Sequence, residues 1–176
     1  MMSAEVIGDK ELAQALRDAG DGAVNALARA LYQEAELIMA DSKKIVDVDE
    51  GTLRNSGFVK DPKIARRGGM TSGGLDNARI EVEMGYGGAA SGYAVYLHEG
   101  TGPNVGQPAF MPPVAPFKEW AKRVLGDESL GFVIARAVGA RGLGPRKFLE
   151  RPFKARASTM NGRLARRVRE GWERGR

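Results

Sequence analysis

Arg79-Ile80-Glu81-Val82-Glu83-Met84 decides the fold class. These residues alternate polar and apolar without a break, as a strand with one wet and one buried face must, because successive side chains on an extended chain point to opposite sides. Working outward, residues 66–76 (RRGGMTSGGLD) read as a flexible, hairpin-like connection, and a further strand is expected near Gly57 to Lys60. On the other side, the glycine-rich stretch GYGGAASG (85–92) leads to Tyr93-Ala94-Val95-Tyr96-Leu97-His98, read as a second strand that pairs antiparallel with the first.

Helical spacing surrounds this extended centre. From Asp9 to about Ile45 the chain is rich in Ala, Leu, Glu and Arg, and Val24, Leu27, Leu31 and Ile38 recur at intervals that place them on one helix face. Asp18-Ala19-Gly20-Asp21-Gly22 should divide a short first helix from a longer second one. Val46 to Ser56 reads as an acidic turn. The stretch Gly100 to Pro116, which contains Pro103, Pro108, Pro112, Pro113 and Pro116, reads as an extended loop, because proline disfavours helix interiors and central strands. Pro116 to Leu125 and Glu128 to Ala140 return to helical spacing, with Gly126 and Gly142 where helix ends belong. From about Pro152 onward a basic helix is expected, with Phe153, Leu164, Val168 and Trp172 as a sparse apolar stripe. The expected fold is α+β: a small antiparallel sheet packed by a long N-terminal helix and additional C-terminal helices, with long Gly- and Pro-rich loops.

The chain has 176 residues, 24 of them glycine, no cysteine and one histidine. Without cysteine there are no disulfides, thiolate metal sites or thiol nucleophiles. No apolar run approaches the roughly 20 residues needed to cross a bilayer, and the N-terminal residues lack the order of a secretory signal, so no membrane partner is expected. The net charge of +5 is uneven: residues 141–176 hold 12 Lys/Arg against 3 Asp/Glu, a local +9, and the remainder is −4. A basic end on an acidic body suits nucleic acid, an anionic surface, or the acidic face of another copy.

Candidate chemistry is sparse. Gly85-Tyr86-Gly87-Gly88-Ala89-Ala90 matches the loose dinucleotide pattern G-x-G-x-x-A, but a strand after it would leave no helix N-terminus to receive a pyrophosphate. His98 precedes Glu99, and on a strand the two would face opposite sides. Asp47, Asp49 and Glu50 lack the longer ligand series of a calcium loop. Neither a second histidine for zinc nor a G-x-S-x-G elbow is present. No catalytic, cofactor-binding or metal residue is assigned. Phe110, Met111, Pro112 and Pro113 present apolar side chains on a loop, as a docking arm does; the alternative is a loop folded back on its own core. Arg166, Arg167 and Trp172 on the basic helix are candidate subunit contacts, with phosphate tracking or a solvated face as alternatives.

Four stretches in order resemble the tail-completion or head-tail joining family of long-tailed phages. They are the leading helix ending in Asp47-Val48-Asp49-Glu50-Gly51-Thr52-Leu53-Arg54-Asn55-Ser56; Tyr93-Ala94-Val95-Tyr96-Leu97-His98-Glu99-Gly100-Thr101-Gly102; the Pro-rich arm; and Gly144-Pro145-Arg146-Lys147-Phe148-Leu149-Glu150-Arg151-Pro152-Phe153. Together they cover most of residues 9–157. Val46 stands where the family usually has a proline, and the Arg-rich stretch after Ala157 has no counterpart. The resemblance implies a structural virion protein rather than an enzyme: one joining domain over 1–157, with the arm at 100–116, and a basic helical extension over 158–176. It implies a homohexameric ring in the phage neck, assembled in host cytoplasm. Its neighbours would be the stopper or adaptor, the tail terminator and the tail tube, with DNA passing the lumen as a further contact and no cofactor. Completion protein and tail terminator stay open, as does a nucleic-acid-binding protein using the basic helix.

Overall fold

The computed structural model describes residues 20–66, 78–88 and 91–174. The helix expected before Gly20, and nearly all of the connection at 66–76, lie outside these residues. In chain order the elements are α1 (Gly20–Ile45), a single-turn α2 (Thr52–Asn55), β1 (Gly57–Val59), β2 (Lys63–Arg66), β3 (Ala78–Glu81), β4 (Met84–Tyr86), α3 (Ser91–Glu99), a 3-10 turn (Gly102–Val105), α4 (Val114–Leu125), α5 (Leu130–Arg141) and α6 (Glu150–Arg174). The fold is α+β, as expected. It forms two compact units, Met1–Gly88 with Phe148–Arg176, and Ala89–Lys147.

The first unit is built on α1 and α6, which pack along each other. Ala26 and Ala30 of α1 are buried on the side of α6, against Gly171 and against Met160 and Leu164, so the partner helix can approach closely, while Ala28 and Ala35 are buried on the opposite side of α1. Met160, Leu164 and Val168, spaced by one helical turn each, bury the matching stripe of α6. Ala30, Met160 and Leu164 form a core on which Leu27, Leu31 and Phe153 pack. The extension read over 158–176 therefore continues α6 and supplies core side chains, Met160 among them, which the sparse-stripe reading did not include. Gly20 and Gly22, expected to separate two helices, already belong to α1.

The strands make one interrupted antiparallel hairpin. β1 pairs with β4 (Gly57 opposite Tyr86, Val59 opposite Met84) and β2 with β3 (Lys63 opposite Glu81, Arg66 opposite Ala78). Lys60 N–H donates to the Glu83 carbonyl at 2.8 Å between the two ladders. Asp61 and Pro62 then face Val82 alone, a β-bulge in which Pro62 has no N–H to contribute. The bulge bends the expected 79–84 strand into β3 and β4 while keeping Val82 buried. Against α1, the Ser42 and Tyr86 hydroxyls share a 2.8 Å hydrogen bond, and the Tyr86 ring meets Phe148 edge-on at 5.1 Å and 82°.

In the second unit one expectation is overturned: Tyr93 to His98 is not a strand but part of α3, and it belongs to neither described sheet. The aromatic and β-branched residues favour a strand, but tertiary packing overrides that weak preference. Ala94 and His98, four apart, are buried together, which is helical spacing. The strand that does pair with β3 is β2, at Lys63–Arg66, unanticipated because Lys63 and Arg66 flank only two apolar residues.

The Pro-rich stretch is also less extended than expected. A 3-10 turn takes up 102–105, and α4 begins at Val114 with Pro116 in its first turn, where a missing N–H costs no helical bond. Its backbone is fastened to α5 and to Leu143, two residues past the end of that helix: Phe110 N–H donates to Gly139 O at 3.1 Å, and Thr101 and Leu143 exchange N–H···O bonds of 3.0 and 3.1 Å. A Cβ at Gly139 would lie 1.8 Å from the Phe110 carbonyl oxygen, so only glycine permits this approach. Gly126 and Gly142, at φ 75 and 77°, end α4 and α5 as expected.

Candidate interaction surfaces

Glu34 lies on the apolar stripe of α1, and its side chain is 0 % exposed. Arg163 donates from Nε to Oε1 at 3.1 Å and from a terminal nitrogen to Oε2 at 2.8 Å, a two-pronged grip on the carboxylate. Arg156 and Arg167 add charge at 3.9 and 3.6 Å. Residues 156, 163 and 167 are seven and four apart, so one face of α6 carries all three. The Arg163 hydrogen bonds hold the Glu34 carboxyl below its usual range, overcoming the opposite effect of burial. Arg156 also donates to Asp41 Oδ2 at 3.0 and 2.7 Å. Hydrogen bonds from Lys44 and Arg156 lower the Asp41 carboxyl in the same direction.

The arginines expected to face outward therefore divide. Arg167 is half-buried and donates to Gln33 Oε1 at 2.8 Å, within its own chain. Arg166 is exposed. The Trp172 backbone belongs to α6, and its side chain lies outside the described residues. Sequence reading missed Glu34, although a signal existed: a carboxylate placed between Leu31 and Ile38 on the apolar helix face.

The second unit has a different character. Its buried hydrophobic side chains among the described residues are Ala94, Ala121 and Ala135, with Pro112 also covered. Larger ones stay accessible, among them Tyr93, Val95 and Tyr96 on α3, Phe110 and Met111 on the loop, and Phe132 and Val133 on α5. Of the residues read as a docking arm, Phe110 (43 %) and Met111 (51 %) present their side chains to solvent, Pro113 is exposed at the start of α4, and Pro112 is buried. Backbone anchoring and side-chain exposure coexist: the loop is folded back and covers Pro112, yet Phe110, Met111 and Pro113 are not covered.

The remaining candidates are resolved by geometry. Because 93–98 is helical, His98 Nε2 comes within 3.6 Å of Glu99 Oε1 rather than facing away, which corrects the strand argument. That distance exceeds hydrogen-bond reach, and Glu99 is engaged by Lys147. A helix does follow the G-x-G-x-x-A segment, so the ground for setting that pattern aside changes. Gly85 belongs to β4 and Gly87 N–H donates to Ser56 O at 3.2 Å, so these glycines extend the hairpin. Both described ladders are antiparallel, without the βαβ setting a dinucleotide site requires. Among the described residues no three His, Asp or Glu side chains group as a metal would need, and no helix is long and apolar enough to cross a membrane. A pocket lined by Leu31, Glu34, Ile38, Val82, Phe153 and Met160 has room for about one water molecule.

No protein-family model, curated protein or solved structure matches the chain.

Proposed function

We propose that this chain is a structural protein of a tailed-phage neck, forming a ring at the head-tail junction that completes the tail or joins it to the head; the tail terminator ring of the same tail is the alternative. The observation that carries the reading is the thinness of the second unit's core, in which alanines are buried and Leu97, Phe117, Trp120, Ile134 and Val138 are only half-buried. A unit of this size rarely gains more than about 3–5 kcal/mol from its own core even when well filled. This one buries chiefly alanine and leaves Phe110, Met111, Phe132 and Val133 in water. Exposed apolar surface on that scale marks association. The order of the four family-like stretches names the setting. Nucleic-acid binding through α6 loses part of its basis, since Arg156, Arg163 and Arg167 face carboxylates or a carboxamide of α1.

The test is genetic and morphological. A nonsense mutation in the encoding phage should leave filled heads and finished tails unjoined under the electron microscope, and the purified chain should restore joining when added. Normal joined particles from the mutant overturn the reading. Truncation at 158 is unsuitable, because it removes Met160, Leu164 and Val168 from the core.

A further inference from the structure

α5 (Leu130–Arg141) is apolar on two opposite sides, with Arg136 and Arg141 as its charged residues. Gly131, Ala135 and Gly139, one turn apart, form the inner side. Ala135 is fully buried, a Cβ at Gly131 would lie 2.5 Å from Lys118 Cα, and one at Gly139 would lie 1.8 Å from the Phe110 carbonyl oxygen. Leu130, Val133, Ala137 and Ala140 follow one another at intervals of three, four and three, so they make a single stripe along the other side. All four are exposed, Leu130 at 39 % and Val133 at 61 %. They share one helix, so their adjacency does not depend on how α4 packs. A helix apolar on opposite sides is ordinarily a buried one, and intervals of three and four are those of a helix-pairing seam.

We propose that this outer stripe of α5 pairs antiparallel with the same stripe of a second copy of the chain. The order of side-chain sizes selects that occupant. The two large residues, Leu130 and Val133, stand in the N-terminal half of the stripe, and the two small ones, Ala137 and Ala140, in the C-terminal half. A two-fold axis beside residue 135 sets Leu130 opposite Ala140 of the second copy and Val133 opposite Ala137. Large then meets small at every position, as close packing requires, and the two helix dipoles oppose each other. A parallel pair would set large against large and leave a gap between alanines. Area sets the strength: at roughly 100–200 Å2 per side chain, the exposed fractions amount to about 250 Å2 of apolar surface. One side of a standard interface buries about 800 Å2, a little over half of it apolar, so the stripe supplies about half of that apolar share and the contact depends on concentration. A lipid surface gains little from the alanine half, since interfacial helices are anchored by Trp, Phe and Leu. The proposal goes beyond the neck reading, since it requires only that two copies meet.

The chain has no cysteine, so introduced thiols report contact without background. Positions 130 and 140 are about 15 Å apart along the helix, whereas a disulfide needs Cβ atoms within about 4.5 Å of each other. Full-length Leu130→Cys and Ala140→Cys chains, one of them carrying a size tag, should therefore form the mixed covalent dimer at least fivefold faster under mild oxidation than either chain forms its own. In the cysteine-free chain, Ala137→Glu at its exposed position should weaken self-association at least tenfold by sedimentation while leaving the helical circular dichroism unchanged. Faster self-cross-linking by either chain, or equal rates for all three pairs, overturns the proposal. So does an assembly whose mass and affinity Ala137→Glu leaves unaltered, and in that case the ring reading stands while the α5 assignment fails. A wild-type chain that is monomeric at every concentration also overturns it, and flotation of that monomer with phosphatidylcholine–phosphatidylglycerol vesicles would assign the stripe to a membrane instead.

Discussion

At Glu34 a carboxylate occupies a helix face otherwise given to Leu31, Ala35 and Ile38, and three arginines make the position tolerable. Replacing such a pair with apolar residues can be neutral, whereas removing one partner strands the other. Glu34→Ala should therefore lower stability by about 3 kcal/mol in urea denaturation, the lower part of the range for buried pairs because Arg163 keeps some access to water. The pH dependence has a definite sign. Folded Glu34 gives up its proton more readily than unfolded Glu34, so its contribution is complete above the usual carboxylate range and is lost as pH falls through the lowered folded value. Melting temperature followed from pH 7 downward should fall through that acid window. Glu34→Gln should flatten the fall, leaving the slope that Asp41, Glu83 and Asp127 contribute by the same sign. An unchanged slope would remove Glu34 from the account.

Among elements, the long helices were legible because periodicity extends over several turns: Val24, Leu27, Leu31 and Ile38 named the inner face of α1. Gly126 and Gly142 named the ends of α4 and α5, since a left-handed or otherwise positive φ suits glycine. Short elements were not legible. Tyr93 to His98 carries strand-like residue types, but the burial of Ala94 and His98 that makes it a helix depends on distant partners. The bulge at Asp61-Pro62 is likewise set by pairing across the hairpin rather than by local sequence. Two substitutions test the elements as placed. Gly139→Ala forces the loop from α5 and should speed protease cleavage within 103–113 severalfold, with Gly144→Ala, where a Cβ meets nothing, as the neutral control. Leu164→Ala, at a fully buried position between α1 and α6, should cost about 3 kcal/mol by thermal or urea unfolding.

For the whole molecule, the charge asymmetry visible in the sequence has a partly internal use. Much of the +9 carried by residues 141–176 lies on α6, where Arg156 and Arg163 meet Asp41 and Glu34 of the same chain. The division into two units was not legible, because Phe148–Arg176 joins Met1–Gly88 across the whole intervening segment, and no composition shift announces a return of the chain. The apolar loop residues Phe110 and Met111 were legible as candidates for contact, and their exposure is what an association surface requires. Native mass spectrometry of the full-length chain, across a concentration series, measures self-assembly directly. The account predicts closed assemblies in multiples of six copies, reduced by substitutions at the exposed apolar positions of the second unit. A chain that stays monomeric at every concentration contradicts it.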